Sequence, residues 1–441
     1  MTPLVDHVVS STDRPSAVDV VVVGGGIVGT ATALYLRKRG CTVMLCEKGI
    51  IAGEQSGRNL GWCRTLGRDL RELPLMLEAM EIWGKSEELL GADAGFRRNG
   101  VVYLCENEQQ FAKHTSWLKS AEGLGAKASV LNSAQVADLL PMAARSWYGA
   151  VHAETDGCAE PQLAAPAFAK AAQRAGAVIS LGDAVRGIET AAGRVSAVVT
   201  EKGVVKCGAV VVAGGAWSSQ FLGNLGIRFP QLSVVTSAQC TEPGATPLTA
   251  SLTGSGFTTR KRMDGGYNVL ANHGEIHHIT PASFRFLWHF RHLATADTGV
   301  KRRFSREFFK SVHWKRSWRN DEASPFEAVR AWDPSVDEEN LRTGHAAATA
   351  ALPMFKGAKM AHQWAGVIDV TPDALPVISP IAAIPGLFLS SGYSGHGFGI
   401  GPAAGRLTAD MVLGRAQAKE LEPYRFERFA DGSIRPGPAV R

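Results

Sequence analysis

The run Val20-Val21-Val22-Val23-Gly24-Gly25-Gly26-Ile27-Val28-Gly29 decides the fold. Four consecutive β-branched residues suit a parallel strand covered on both faces. From Thr30 to Arg39, Ala31, Leu34 and Tyr35 recur at helical spacing, with Arg37, Lys38 and Arg39 in the last turn and Gly40 beyond it. Thr42–Leu45 forms the next strand, and Glu47 ends it 18 residues after Gly29. Gly24-x-Gly26-x-x-Gly29 therefore sits inside a strand–turn–helix–strand unit. Its glycines let the backbone around Ile27 and Val28 approach a pyrophosphate, the helix start supplies a positive dipole end, and Glu47 accepts from ribose hydroxyls. The unit predicts a dinucleotide and leaves FAD and NAD open.

The chain around this unit has 441 residues, 45% of them apolar and 20% charged, which excludes disorder, collagen-like repeats and coiled coil as the main organisation. At about three times the ~150-residue domain prior, it predicts two intertwined domains. Seven scattered cysteines, with no C-x-x-C pair and no His at ligand spacing, predict a reducing compartment, no disulfide framework and no metal. The first residues lack a basic stretch leading into an apolar one, and no apolar run reaches the ~18 residues of a membrane span. A cytoplasmic protein is expected.

Further along, Leu75–Leu90 and Pro161–Gly176 read as helices, and Val101–Cys105, Ala128–Leu131, Ala177–Ser180, Val195–Thr200 and Ala209–Ala213 as strands. The last runs into Gly214-Gly215-Ala216-Trp217. Val234–Leu270 alternates as an antiparallel sheet does, and Arg342–Leu352 fits more than one element. The C-terminal part reads strand (Leu387–Ser391), glycine loop (Gly392–Gly401) and helix (Pro402–Leu413). Parallel βαβ material at both ends, with antiparallel material between, implies an α/β chain whose nucleotide domain is discontinuous.

At this point the sequence resembles the glycine oxidase and D-amino acid oxidase/dehydrogenase family of flavoproteins, which includes bacterial membrane-associated amino acid deaminases. The resemblance covers most of the chain. It rests on Val20–Gly29, Glu47-Lys48, Ser56-Gly57-Arg58-Asn59, Gly95–Gly100, Asp156-Gly157 with Glu160-Pro161, Val210–Trp217, Trp364–Pro376 and Gly392–Gly399, in that order. It implies FAD as cofactor. It also implies a Rossmann-like FAD-binding domain from 17–90, 151–230 and 340–441, and an antiparallel-sheet substrate domain from 91–150 and 231–339. The implied reaction is oxidative deamination of an amino acid: a hydride passes to the flavin, and the imine is hydrolysed to a keto acid and ammonia. A dehydrogenase feeding a quinone or respiratory acceptor is expected. The alternatives are a secondary-amine enzyme (sarcosine, proline or opine type) and a flavin subunit that relays electrons in a complex.

The site residues follow from these motifs. The Ser56-Gly57-Arg58-Asn59 loop runs beside the pyrophosphate, where Arg58 either neutralises phosphate charge or is an ordinary loop arginine. Lys48 extends the Glu47 strand end. The resemblance places Val185 at the adenine, although by type it is a strand valine. Gly214, Gly215 and Trp217 turn back over the nucleotide or form a plain structural turn. Gly395, His396, Gly397, Phe398 and Gly399 open a helix which, by resemblance, aims its N-terminus at the flavin pyrimidine. His396 reads as a flavin-edge contact, with proton transfer as its other role. Relatives carry an arginine in a Trp-Ala-Gly-Leu-Arg strand. This chain has Trp364-Ala365-Gly366-Val367-Ile368, so Arg260 becomes the candidate carboxylate clamp, with a solvated strand arginine as its other reading. Cys63 is a buried thiol or, as in some relatives, a flavin attachment point.

Phe284 to Arg319 holds ten Lys/Arg, two acids and nine aromatics, whereas the rest of the chain is nearly neutral. One local basic insertion does not support nucleic-acid binding. If Lys301–Trp318 is helical, Phe304, Phe308 and Val312 share a face opposite Arg302, Arg303, Arg306 and Lys310, as on an interfacial helix. Packing on its own sheet or on a partner subunit is the other reading. The expected partners are an amino acid substrate and, through 284–319, the inner face of the cell membrane or an electron-acceptor protein. An oligomer is compatible.

Overall fold

The computed structural model describes residues 3–244, 248–293, 299–312 and 314–434. Val20–Val23 is an inner strand of a six-stranded sheet ordered Val377–Pro380, Leu387–Ser391, Ala209–Val212, Val20–Val23, Val43–Glu47, Val178–Leu181. Neighbours run parallel except at the Val377–Pro380 edge. Gly24 turns the chain with φ of +112°, and a Cβ on Gly29 would stand 2.0 Å from the Gly24 carbonyl oxygen, so the helix can start this close to the strand only with glycine there. That helix, Ile27–Lys38, lies against helices Pro161–Arg174 and Gly397–Val412. Its neighbours are small: a Cβ on Gly405 would lie 2.5 Å from the Ala31 Cβ. Each fully covered Val or Leu of this core contributes about 1.5–3 kcal/mol. An antiparallel meander, Val185–Ala191, Arg194–Thr200 and Gly203–Lys206, shares an apolar cluster with Val210 and Val212.

The second sheet has ten strands. Lys301–Arg303, Ile276–His278, Leu232–Thr241, Tyr267–Leu270, Phe257–Lys261, Ser251–Gly254, Val101–Cys105, Gly149–Ala153 and Ser129–Asn132 follow in spatial order, and Met360–Val370 also pairs with Leu232–Thr241. The latter ladder runs antiparallel from Leu232 opposite Val370 to Thr241 opposite Met360. Helix Glu338–Ala351, capped by the Asp337 side chain accepting from the Asn340 N–H, packs on this sheet and buries Leu341, Ala348 and Ala351.

Several expectations change. Helix Glu338–Ala351 packs on the ten-stranded sheet, and strand Met360–Val370 pairs within it. The Leu75–Leu90 helix is two, Leu73–Gly84 and Ser86–Leu90, broken at Lys85. The C-terminal helix starts at Gly397, with Pro402 inside it, where Pro402 offers no N–H to the Phe398 carbonyl; the neighbouring Gly399 carbonyl accepts from Trp83 Nε1 at 2.7 Å. Lys301–Trp318 is not one helix. Lys301–Arg303 pairs in parallel with Ile276–His278, Ser305 Oγ accepts from the Glu307 N–H, and the helix spans only Arg306–Val312.

The tight helix crossing gives a direct test. Gly405→Ala forces a methyl against Ala31 and the Thr32 nitrogen, 2.8 Å away, and is expected to cost about 1–3 kcal/mol, read as a lower urea midpoint at unchanged m. An unchanged midpoint means that the helices part freely.

Candidate cofactor cleft and substrate site

A cleft lies at the C-terminal ends of the parallel strands. Gly24, Gly26, Ile27 and Val28 form its floor, Glu47, Lys48, Ser56 and Asn59 one wall, and Val185, Gly214, Gly215 and Trp217 another; Gly395, Gly397 and Phe398 close one end. Glu47 braces the glycine turn: Oε2 accepts from the Gly25 N–H at 2.6 Å and Oε1 from the Gly49 N–H at 2.7 Å, while burial pushes its carboxyl pKa up. Ser56 Oγ accepts from the Ile27 N–H at 2.9 Å. Lys48 Nζ donates to Glu54 and to the Val329 carbonyl, both at 2.8 Å, and stands 4.5 Å over the Trp217 ring.

The other residues expected here stand behind the walls. Gly29, Gly57 and Gly399 are packing glycines; a Cβ on Gly57 would sit 2.3 Å from the Ala52 oxygen, and one on Gly399 2.9 Å from the Trp62 oxygen. Arg58 is buried and donates to the carbonyls of Trp332, Ala365 and Gly53 and to Asp333. It braces loops and strand beneath the cleft instead of meeting a phosphate. His396 caps the helix start, with Nδ1 3.1 Å from Glu72 Oε2. Burial and the Arg68 charge lower its pKa. Its geometry is that of a residue orienting the helix start.

Arg260 is also not a free clamp. It is 1% exposed, Nη1 and Nη2 donate to Glu160 Oε1 and Oε2 at 2.8 and 2.9 Å, and Nε donates to the Leu60 carbonyl. The Met263 N–H adds a third bond to Glu160 at 2.8 Å. The fork that would seat a carboxylate is occupied by one from the protein.

Above the cleft, Leu60 packs on a small apolar cluster of Ala238, Cys240, Leu270 and Trp364, with His362 stacked on Trp364 at 5.8 Å. A Cβ on Gly366 would meet Gln55 Oε1 at 2.4 Å, so strand Met360–Val370 lies against the cleft. Asp369 lines it; Oδ2 accepts from the Gly392 N–H at 2.8 Å and Gln231 Nε2 at 3.0 Å, and burial pushes its pKa up. Sequence reasoning missed Gln231, Gln55, Phe326 and Arg330 as functional neighbours. Asp369 was missed as well.

The cleft's character can be weighed against a dinucleotide. Gly24 and Gly26 leave part of its floor without side chains, helix starts at Ile27 and Gly397 both border it, its walls are largely apolar, and the covered Gln55 Oε1 has no hydrogen-bond partner. A diphosphate between two ring systems suits this set of donors, faces and one waiting acceptor. Among the described residues no three His, Cys, Asp or Glu are placed to hold a metal, and all seven cysteines are unpaired. Cys63 is covered, and burial pushes its thiol well above the ordinary range, away from the reactive thiolate.

Comparison with known proteins agrees. The family model described as "DAO: FAD dependent oxidoreductase" matches residues 19–411. The L-amino acid deaminase of Proteus myxofaciens, solved with anthranilate, superposes with a TM-score of 0.94 at 31% identity, covering 98% of this chain and 97% of that one. Sarcosine oxidase subunit beta of Rhodobacter capsulatus is 24% identical over 96% of this chain and 92% of its own length. Glycine oxidase of Geobacillus kaustophilus is 26% identical over 93% and 97%. FAD is thus the dinucleotide that the glycine floor and helix starts fit.

The buried ion pair yields a stability prediction. Arg260→Met strands Glu160 and is expected to cost about 3–5 kcal/mol, whereas Arg260→Met with Glu160→Leu restores most of it. Burial, the largest influence on Glu160, pushes its pKa up, but hydrogen bonds and charge from Arg260 outweigh it and the net shift is downward. Its contribution is therefore present above the ordinary carboxylate pKa and lost as pH falls through the lower folded value. Urea midpoints at pH 7 and in the acid limb check both. An Arg260→Met protein as stable as its parent refutes the pairing.

Proposed function

The chain belongs to the DAO family of FAD-dependent oxidoreductases, which act on amino acids or secondary amines, and on that premise we propose that it oxidatively deaminates an amino acid. The carrying observation is the overlap with an L-amino acid deaminase across 98% of the chain, which puts L-configured substrates first. The six-stranded sheet and its helices form the FAD-binding unit, and the ten-stranded sheet forms the substrate unit. FAD, when bound, accepts the hydride that leaves the substrate Cα. The chain's own part is to hold and shield. The Gly397 helix start, steadied by His396 on Glu72, presents backbone donors to the cleft. Val367, Tyr393 and Phe398 line the cleft with apolar surface that keeps water from the reacting carbon. Water then hydrolyses the released imine to keto acid and ammonia.

The likeness to sarcosine oxidase subunit beta supports a second reading, a secondary-amine enzyme or a subunit relaying electrons in a complex. Anaerobic addition of an amino acid panel should bleach the flavin and release ammonia. Free-amine release transfers the assignment to secondary amines, and no bleaching by either class leaves a relay.

A dehydrogenase needs an acceptor, and residues 284–319 offer a surface for a membrane that carries one. Phe284, Leu287, Trp288, Phe304, Phe309 and Val312 are exposed, Trp288 by 73%, among basic side chains. Among the described residues no helix is long and apolar enough to cross a membrane. Peripheral attachment to anionic lipid on the inner face therefore fits. In flotation with anionic vesicles the protein should rise, and Trp288→Ser with Phe304→Ser should keep it at the bottom; a parent protein that never floats ends the membrane reading.

A further inference from the structure

The segment between Ile276–His278 and Glu338–Ala351 leaves the ten-stranded sheet and returns to it, yet its later part crosses to the rim of the cleft. There Phe326 and Arg330 line the cleft beside Lys48, Val185 and Trp217. This is the end marked by Glu47, where a fingerprint of this kind receives the adenosine half, and it lies away from the helix start at Gly397.

Three tryptophans make the contact. Trp314 stacks on Trp217 at 5.3 Å and 19°, and Trp332 packs against both at 5.3 and 5.7 Å. Polar ties from separate elements then hold the crossing down. Glu327 takes Arg186 bidentately at 3.0 and 2.9 Å, Arg330 pairs with Glu201 and donates to the Lys48 carbonyl at 2.9 Å, and the Trp332 N–H donates to Glu54 Oε1 at 2.8 Å. At its near end Trp318 Nε1 donates to the Arg186 carbonyl at 2.7 Å. A Cβ on Gly49 would meet the Arg330 oxygen at 2.5 Å, so the segment lies directly on the turn after the Glu47 strand.

We propose that residues 314–333 are a clasp that retains the adenosine half of FAD, with Phe326 and Arg330 facing the cofactor and Trp314, Trp332 and Glu327 as positioning residues. The clasp closes a wall that the glycine fingerprint leaves open. Lys48 and Trp217, which belong to the nucleotide-binding unit, are held in place from outside it by the Val329 carbonyl and by Trp314. Cofactor retention thereby depends on the same excursion that carries the exposed aromatic surface.

The test uses the holoenzyme and two readouts, the rate of FAD release after dilution, followed by flavin fluorescence, and the visible-region circular dichroism of bound flavin. Removing the half-buried Trp314 ring and its contacts with Trp217 and Trp332, Trp314→Ala is expected to release FAD about tenfold faster while leaving the visible dichroism unchanged, because the isoalloxazine lies at the far end. Glu327→Gln, which keeps every aromatic and loosens the Arg186 tie, should fall between that variant and the parent, and it decides the matter if Trp314→Ala does not accumulate as holoenzyme. Release within twofold of the parent overturns the clasp, and so does faster release with an altered visible dichroism, which would report general loosening of the protein.

Discussion

A backbone oxygen fills the place where a side chain would otherwise be: the Gly24 carbonyl lies 2.0 Å from where a Cβ on Gly29 would stand. This steric constraint fixes how closely the first helix follows the first strand, and through it the floor of the cleft and the direction of the helix dipole. It also constrains the layer above. A helix set so low must present small residues and meet small neighbours: its own Ala31 and Ala33 face Gly405 and the alanines of Pro161–Arg174, all but a few fully covered.

Much of this was legible because it is local. The valine run, the glycine spacing, the basic last turn and the terminal Glu47 act within thirty residues, and the structure keeps all four. Elements whose identity depends on distant partners were not. Lys301–Arg303 has helical periodicity in sequence but becomes a strand because Ile276–His278 offers it an unpaired edge. Pro402 resembles a helix start, yet the helix begins a turn and a half earlier, and its first turn is tied through the Gly399 carbonyl to Trp83, 316 residues away. Nothing near Pro402 announces Trp83.

The site divides in the same way. Glycines that form the cleft floor declare themselves by spacing, whereas arginines do not, since a guanidinium's function is set by the carboxylate or carbonyl it finds. Arg260 finds Glu160 at a separation of 100 residues, and Arg58 finds Asp333 at 275. Each had a ligand-facing reading beside a plain one, and the geometry has each holding protein to protein. Phe326 and Arg330 had no motif at all, because the excursion that brings them to the cleft is folded by its ties rather than by its own pattern.

Asp369 has a consequence for how the molecule can move. One of its oxygens gathers the Gly392 N–H of the parallel sheet's last turn and Gln231 at the head of strand Leu232–Thr241, while its own backbone lies in Met360–Val370. The Asp369–Gly392 bond, charge-assisted and worth about 1.5–3 kcal/mol in a dry interior, and the bond from Gln231 Nε2 to the Gly215 carbonyl both cross between the sheets, so swinging them apart like the covers of a book breaks both at once and is a rare event. Traffic of small molecules is then left to surface loops, and the seam between the sheets behaves as a spine rather than a door.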